Sequence, residues 1–286
     1  MNNLAAFMSS LERKDVLLPL LHTWLTKYYA RCEHAPSLMA VGIRRDAALT
    51  ARTFRRREKE YNHQGDEKTK DYFHPSRIGG CPRAAAFGVF GAPSNRVPIG
   101  AELLKSHLTF EVGTYFHVLF QNLCSRAGLL LRREVHVQDD VLKIVGHGDG
   151  VLRLPSGKAL LEIKTINSRG YMALTQPKPE HVEQATLYMG ILGLKMAVFI
   201  YYNKESSQVK EFKVVHSPAI FSELIKRIET QRSKIRQRIL PSRGGRKANT
   251  YPCTFCPFSR VCFDSSVLAA FISESKVKDE DKGKLC

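Results

Sequence analysis

Acidic residues are scarce in this chain of 286 residues: 27 Asp and Glu stand against 44 Lys and Arg, for a formal net charge of +17 and a pI near 9.7. A surplus of that size points to a polyanionic partner, with nucleic acid ahead of an acidic membrane. A basic but merely well-solvated surface is the plainer alternative. No stretch approaches the roughly 20 uninterrupted apolar residues of a membrane span. The apolar run from Val16 to Leu25 is interrupted by Pro19 and His22 and follows the charged residues Glu12 to Asp15. It lacks the basic start and small-residue cleavage pattern of a secretory leader. Without such a leader, seven cysteines, an odd number, suit metal ligation better than a disulfide framework. The expected location is therefore intracellular: the cytoplasm, or a host cytoplasm for a viral protein. No Gly-x4-Gly-Lys-Ser/Thr loop is present, which excludes a fused helicase motor. There is no internal repeat.

What is present is an ordinary 43% of hydrophobic residues, enough for a sizeable core in one large domain or two modest ones. Leu4, Phe7, Met8 and Leu11, then Leu17, Leu20, Leu21, Trp24 and Leu25, recur at helical spacing, so residues 1 to about 33 read as helical with a break or first turn at Pro19. A basic stretch carrying Arg52, Arg55, Arg56, Arg57 and Lys59 follows. Residues 1–75 are expected to form a helical, basic elaboration outside the core. A helix is predicted over Glu102–Ala127, stopped by Gly128. Strands are predicted around Val135–Val145, Val151–Leu154, Ala159–Thr165, Met196–Tyr202 and Val209–Val215, with a helix from Glu180 or His181 to Leu192. This order indicates a mixed α/β core over about 76–264. Ser222–Ile239 reads as a basic amphipathic helix, and 265–286 as a charged, disordered tail.

The segment Gly146-His-Gly-Asp149-Gly, followed by Leu161-Glu162-Ile-Lys164-Thr, carries the chemistry. A hairpin turning at Ser156-Gly157 would set Val151 opposite Glu162 and Asp149 opposite Lys164. Opposed residues share a face, so Asp149, Glu162 and Lys164 would converge while Leu161 and Ile163 pointed to the core. Two carboxylates offer hard oxygen ligands to a cation such as Mg²⁺. Such a cation neutralises phosphate and activates water, and the lysine orients that water or stabilises developing charge. Both acids are expected to stay ionised beside a cation and Lys164. A lone Glu-x-Lys is equally an ordinary cross-strand ion pair. Gln184-x-x-x-Tyr188, on one face of a predicted helix, decides for a site.

The order Gly113-x-x-x-His117, Gly146-x-x-Asp149, Glu162-x-Lys164 and Gln184-x-x-x-Tyr188 resembles the RecB-like branch of the PD-(D/E)XK nuclease superfamily over about residues 79–264. The resemblance implies a restriction-endonuclease-like α/β core, a mixed sheet flanked by helices. It implies catalysis by Lys164, Glu162, Asp149, Gln184 and Tyr188. The Mg²⁺ or Mn²⁺ ligands would be His117, Asp149, Glu162 and the Ile163 carbonyl. Taken singly, His117 reads as a hydrogen-bonded helix histidine and Tyr188 as a half-buried core aromatic.

Cys253-x-x-Cys256-x5-Cys262 is a compact thiol trio, and Cys81 is the candidate fourth member. Four thiolates suit tetrahedral zinc or an iron–sulfur cluster. The 1+3 arrangement resembles the CRISPR-associated RecB-like exonucleases and AddB-type nuclease domains, a likeness that implies a [4Fe–4S] cluster over zinc, in a structural role. Cys32, Cys124 and Cys286 fit no pattern. Arg227, Arg232, Lys234, Arg236 and Arg238 form a basic arm suited to phosphate contacts without base reading.

These readings lead to a metal-dependent DNA exonuclease acting on single strands or free ends. The pathways implied by the likeness are recombination, repair, phage genome processing or CRISPR adaptation. A separate recombination, helicase or CRISPR partner and assembly into oligomers remain open, and no membrane partner is expected. The alternative is a non-catalytic nucleic-acid-binding protein with a structural zinc or iron–sulfur site.

Overall fold

The computed structural model describes residues 2–11, 15–34, 46–48, 50–52, 55, 72–94 and 101–281. In chain order the helices are α1 (Asn2–Ser9), α2 (Leu18–His34), α3 (Pro82–Val89), α4 (Ala101–Arg126), α5 (Ser168–Ala173), α6 (Pro179–Leu192), α7 (Pro218–Arg236), α8 (Ser259–Phe263) and α9 (Ser265–Ser275). The strands are β1 (Leu130–Asp139), β2 (Ile144–Leu154), β3 (Gly157–Ile166), β4 (Met196–Asn203), β5 (Val209–Val215), β6 (Ile239–Leu240) and β7 (Lys278–Asp279). Two units result, one from Met1–Ile78 with Leu108–Ser222, the other from Gly79–His107 with Glu223–Cys286.

The first unit is a mixed α/β layer structure on a sheet ordered β1-β2-β3-β4-β5. Only β3 and β4 run parallel; the other neighbours are antiparallel. A parallel pair needs a crossover, which α5 and α6 supply. All eight residues of β4 are buried, which explains its near-continuous apolar sequence. Alternation along β2 and β3 splits the core into two faces. Val151, Leu160, Phe199 and Tyr201 pack with Val182, Ala185 and Met189 of α6. Leu152, Leu161, Ile163 and Val198 pack with Phe116, Phe120 and Cys124 of α4.

The hairpin lies two residues from its expected register. Leu154 faces Gly157, Arg153 faces Lys158 and Val151 faces Leu160, so the connection is Pro155-Ser156. Gly157, at φ +116°, takes the backbone conformation other residues avoid. A slip of two keeps every side chain on its expected face, whereas a slip of one would have reversed them all.

The N-terminal helices belong to the core rather than to an elaboration on it. Met8 joins the α6 face, and Leu17 and Leu21 are fully buried on the α4 face. Two such leucines contribute roughly 3–6 kcal/mol, too much for an appendage. The start of α2 is fixed by Glu211 of β5, itself fully buried. Its Oε1 accepts the Val16 and Leu17 amides and its Oε2 the Leu18 amide, each at 2.7 Å. These are amides a helix cannot satisfy internally, and a carboxylate also complements the helix dipole.

In the second unit β6 and β7 pair in parallel, and Ala86, Phe87, Leu240, Val261, Leu268 and Phe271 form the core. The expected disordered tail is corrected here. Ser265–Ser275 is a helix because Asp264 caps it through the Ser266 and Val267 amides while Leu268 and Phe271 are buried. Residues 282–286, with Cys286, lie outside the described residues. The basic helix α7 begins at Pro218, ahead of the expected Ser222, and ends at Arg236. Arg238 beyond it has φ +55°, which cannot continue a helix.

Replacing Glu211 by Ala removes three charge-assisted hydrogen bonds and strands buried amides, so denaturant unfolding should show a loss of about 2–4 kcal/mol. An E211A protein as stable as the parent would show that this carboxylate does not anchor α2.

Candidate active site

The first unit brings the active-site residues anticipated from sequence together in two neighbouring hydrogen-bonded sets. On β2, Asp149 Oδ1 lies 2.9 Å from His117 Nδ1 of α4, and Oδ2 accepts the Ile163 backbone amide at 2.6 Å. On β3, Lys164 donates to Glu162 Oε2 at 2.8 Å and to Gln184 Oε1 at 3.3 Å. Gln184 Nε2 then donates to the Tyr188 hydroxyl at 3.4 Å, an i,i+4 step along α6. The Ile163 side chain points into the α4 face of the core, leaving only its backbone for the site.

Local sequence explains the close approach. A Cβ on Gly146 would meet the Tyr188 hydroxyl at 2.6 Å, and the His147 amide bonds that same hydroxyl. At Gly150 a Cβ would meet Leu130 Cδ1 at 2.8 Å and the Arg132 carbonyl at 2.9 Å. The glycines around Asp149 thus let neighbouring chain segments close on it.

The two acids are shifted in opposite directions. Burial works to raise the Asp149 pKa, but His117, Lys164 and the Ile163 amide outweigh it and hold the carboxyl at about 2. Glu162 is 1% exposed, and burial, reinforced by the Asp149 charge, pushes it up to about 7 against the pull of Lys164. The expectation that both acids stay ionised was made for a cation beside them; with protein groups alone, the Glu162 carboxyl lies well above the usual carboxylate range. Burial works to lower the Lys164 pKa, but Glu162 and Asp149 raise it overall, so the side chain is an ammonium.

Glu162 Oε1 is buried and has no hydrogen-bond partner among the described residues. An orphaned carboxylate oxygen beside a second carboxylate suits a hard divalent cation. Among the described residues no three His, Cys, Asp or Glu side chains form a metal-holding group. Mg²⁺ does not require one, since it is commonly held by one or two carboxylates, waters and substrate phosphates.

Sequence reading missed several supporting residues. Gln121, one turn beyond His117 and fully buried, donates to the Asp149 carbonyl at 2.8 Å and to Glu134 Oε1 at 2.6 Å. Arg133 braces Gln121 Oε1 at 3.3 Å. His181, one turn before Gln184, lies 2.7 Å from the Tyr201 hydroxyl. Burial first, then the Lys164 and Lys178 charges, lower its pKa to about 3, so it stays neutral. The helical offsets from His117 and Gln184 were the available signals.

The four cysteines singled out above lie in the second unit, all as free thiols. Cys81 occupies the N-cap position of α3 without a side-chain capping bond and is close enough to Cys262 to raise its pKa. Burial is the larger cause of that rise, and a hydrogen bond with Arg83 opposes it. The basic arm is partly engaged within its own unit. Arg232 pairs with Glu229 and Lys234 with Glu280 at 2.8 Å, while Arg238 donates to the Ser275 carbonyl and lies over Phe90. Arg236 is more exposed, 3.9 Å from Glu229. Arg56, Arg57 and Lys59 lie outside the described residues.

No protein-family model and no curated protein matches the sequence. Among solved structures, a protein named SSO0001 is similar at TM-score 0.46 and 15% identity, over 76% of this chain and 95% of that one. The alkaline exonuclease LHK-Exo of Laribacter hongkongensis is similar at TM-score 0.41 and 15% identity, over 58% of this chain and 88% of its own. Its complex with dAMP gives TM-score 0.41 at 16% identity. With TM-scores below 0.5, these likenesses carry no functional argument. No helix among the described residues is long and apolar enough to cross a membrane.

Burial and the Asp149 charge hold the Glu162 pKa at about 7 in the folded protein, against an ordinary 4.5. Between those pH values the folded state holds a proton that the unfolded chain releases, so this group's contribution is full below 4.5 and declines through 7. In chelator-treated protein, the parent should therefore lose stability relative to E162Q across that window, by on the order of 3 kcal/mol. Parallel pH–stability curves for the two proteins would contradict the raised pKa.

Proposed function

We propose that this chain is a metal-dependent DNA nuclease of the RecB-like PD-(D/E)XK type, an exonuclease that hydrolyses phosphodiester bonds with Mg²⁺ or Mn²⁺. The observation that carries the reading is the grouping of partly buried Asp149 and Lys164 around buried Glu162, one oxygen of which has no partner among the described residues. An ordinary surface ion pair would have neither that burial nor a second carboxylate. Asp149 and Glu162 would hold the cation, with His117 and the Ile163 carbonyl as further ligands. When bound, the cation would supply charge neutralisation at phosphate and a lowered pKa for water.

The chain's own groups account for the remaining chemistry. Lys164, as an ammonium, donates hydrogen bonds; it orients a water and stabilises charge developing on phosphate oxygens rather than removing a proton. Gln184 fixes the ammonium by accepting from it, and Tyr188 anchors Gln184 in turn. Gln121 holds the Asp149 backbone from the far side. DNA is the partner that fits a net charge of +17, with single strands or free ends as substrate and Arg227, Arg232, Lys234, Arg236 and Arg238 as phosphate contacts. The family likeness extends this to end processing in recombination, repair, phage genome metabolism or CRISPR adaptation, alone or with a separate partner.

Cys81, Cys253, Cys256 and Cys262 are proposed to hold a [4Fe–4S] cluster. Four free thiols within one unit fit that group in donor type, and Arg83 already bonds one of them. A cluster there would tie residue 81 to the C-terminal trio, a long-range staple.

End-labelled DNA incubated with Mg²⁺ or Mn²⁺ should be degraded by the parent and at least about 100-fold more slowly by E162A and K164A, as expected when electrostatic stabilisers are removed. Degradation by both variants at the parental rate would overturn the nuclease assignment. Protein purified without oxygen should be brown, with visible charge-transfer absorption and stoichiometric iron that is lost in C253S and C256S. Colourless, zinc-loaded protein would overturn the cluster assignment.

A further inference from the structure

A pair of histidines outside the candidate active site is arranged as metal ligands. His136 of β1 and His147 of β2 lie directly opposite each other in the antiparallel register. His136 Nδ1 is 3.2 Å from His147 Nε2, and the ring centroids are 4.9 Å apart. Both side chains are exposed.

Hydrogen bonding settles which His136 nitrogen carries the proton. Gln138 Nε2 donates to Asp140 Oδ1 at 2.6 Å, so the amide presents its oxygen to His136 Nε2, 2.9 Å away. That oxygen can only accept, and His136 Nε2 therefore carries the hydrogen. His136 Nδ1 is left with a lone pair aimed at His147 Nε2. Asp140 is held in turn by the Tyr72 hydroxyl at 2.8 Å. A ligating imidazole commonly has its second nitrogen bonded to an acceptor in this way, which fixes its orientation and raises its basicity.

The spacing also fits. Two nitrogens each about 2.0–2.1 Å from one ion lie roughly 2.9 Å apart at a right angle and roughly 3.4 Å apart at the tetrahedral angle. The observed 3.2 Å falls between these values. Replacing the single proton shared by the facing nitrogens with a cation needs little movement of either ring. A third histidine, His74, lies near enough to His147 to feel its charge.

We infer that His136 and His147 form a surface site for an imidazole-preferring divalent transition metal such as Zn²⁺, Ni²⁺ or Cu²⁺, with Gln138 as the positioning residue and water completing the coordination. The site does not depend on the nuclease reading, since it uses neither carboxylate of the candidate active site. Soft thiol ligands and hard carboxylates elsewhere in the chain make Ni²⁺ the useful probe, because imidazole suits it.

The test is Ni²⁺ titration calorimetry on the full chain, comparing the parent with H136N, H147N and Q138L after confirming equal melting temperatures. H136N and H147N should each lose one equivalent of bound Ni²⁺. Q138L should keep it at about tenfold weaker affinity, as for other lost ligand-orienting partners. Addition of Cu²⁺ to the parent should give an electron paramagnetic resonance spectrum with nitrogen hyperfine structure that is absent from H136N. Parental stoichiometry and affinity in either histidine variant, or no Ni²⁺ uptake by the parent, would overturn the site.

Discussion

A buried carboxylate, Glu162, beside a partly buried one, Asp149, constrains the first unit more than any other feature. Removing an ionised carboxylate from water costs several kcal/mol unless hydrogen bonds or opposite charges compensate. Asp149 is compensated by His117 and the Ile163 amide, and it remains ionised. Glu162 has Lys164 on one oxygen and no hydrogen-bond partner among the described residues on the other, and its pKa is pushed up to about 7 instead. The asymmetry has a chemical reading. A site finished by protein groups on every oxygen would have no capacity for a cation, whereas one left a partner short would have room for the cation proposed above.

That constraint reaches outward through the fold. The Ile163 amide can serve Asp149 only because β2 and β3 cease pairing beyond Gly150 and Leu161. Glycines at 146 and 150 let Tyr188 and the β1 backbone close on the same strand. Helix α6 then presents Gln184 toward Lys164 while burying Val182, Ala185 and Met189 against the sheet. One helix therefore combines packing with positioning. Its polar residues facing the site replace part of an apolar stripe, and the remaining apolar contacts hold it.

Much of this was legible because the informative signals are local. Strand alternation gave the faces of β2 and β3, and the i,i+4 offset paired Gln184 with Tyr188. The hairpin turn was misplaced by one residue and the register by two, yet side-chain parity, not turn position, determines convergence, so the grouping survived. What stayed hidden depends on distant partners. Glu211 and the amides at 16–18 are separated by more than 190 positions, and nothing in either segment names the other. Gln121 and Glu134 are ordinary polar residues until β1 brings one beside the other. The helix after Asp264 was obscured differently, since the charges beyond Ser273 outweighed a local cap followed by buried Leu268 and Phe271.

The second unit shows why a large net charge need not mean a track of free cations. Arg83 is almost wholly buried, donating to both Asp279 oxygens at 2.7 and 2.9 Å and to the Pro241 carbonyl at 2.7 Å. Breaking such a pair by removing one partner costs about 3–5 kcal/mol, because the other charge stays buried. Arg83 thus fixes β7 against the start of α3, two residues from Cys81, while bonding Cys262. Arg232, Lys234 and Arg238 likewise have partners within their own unit. On the proposed reading, the basic surplus would act on DNA also as a field, strong at low salt and screened beyond roughly 8–10 Å at physiological ionic strength. Attraction by such a field is indifferent to base sequence. Selection of the bond to be broken would then fall to the geometry around Asp149, Glu162 and Lys164, where charges are buried and screening is weak.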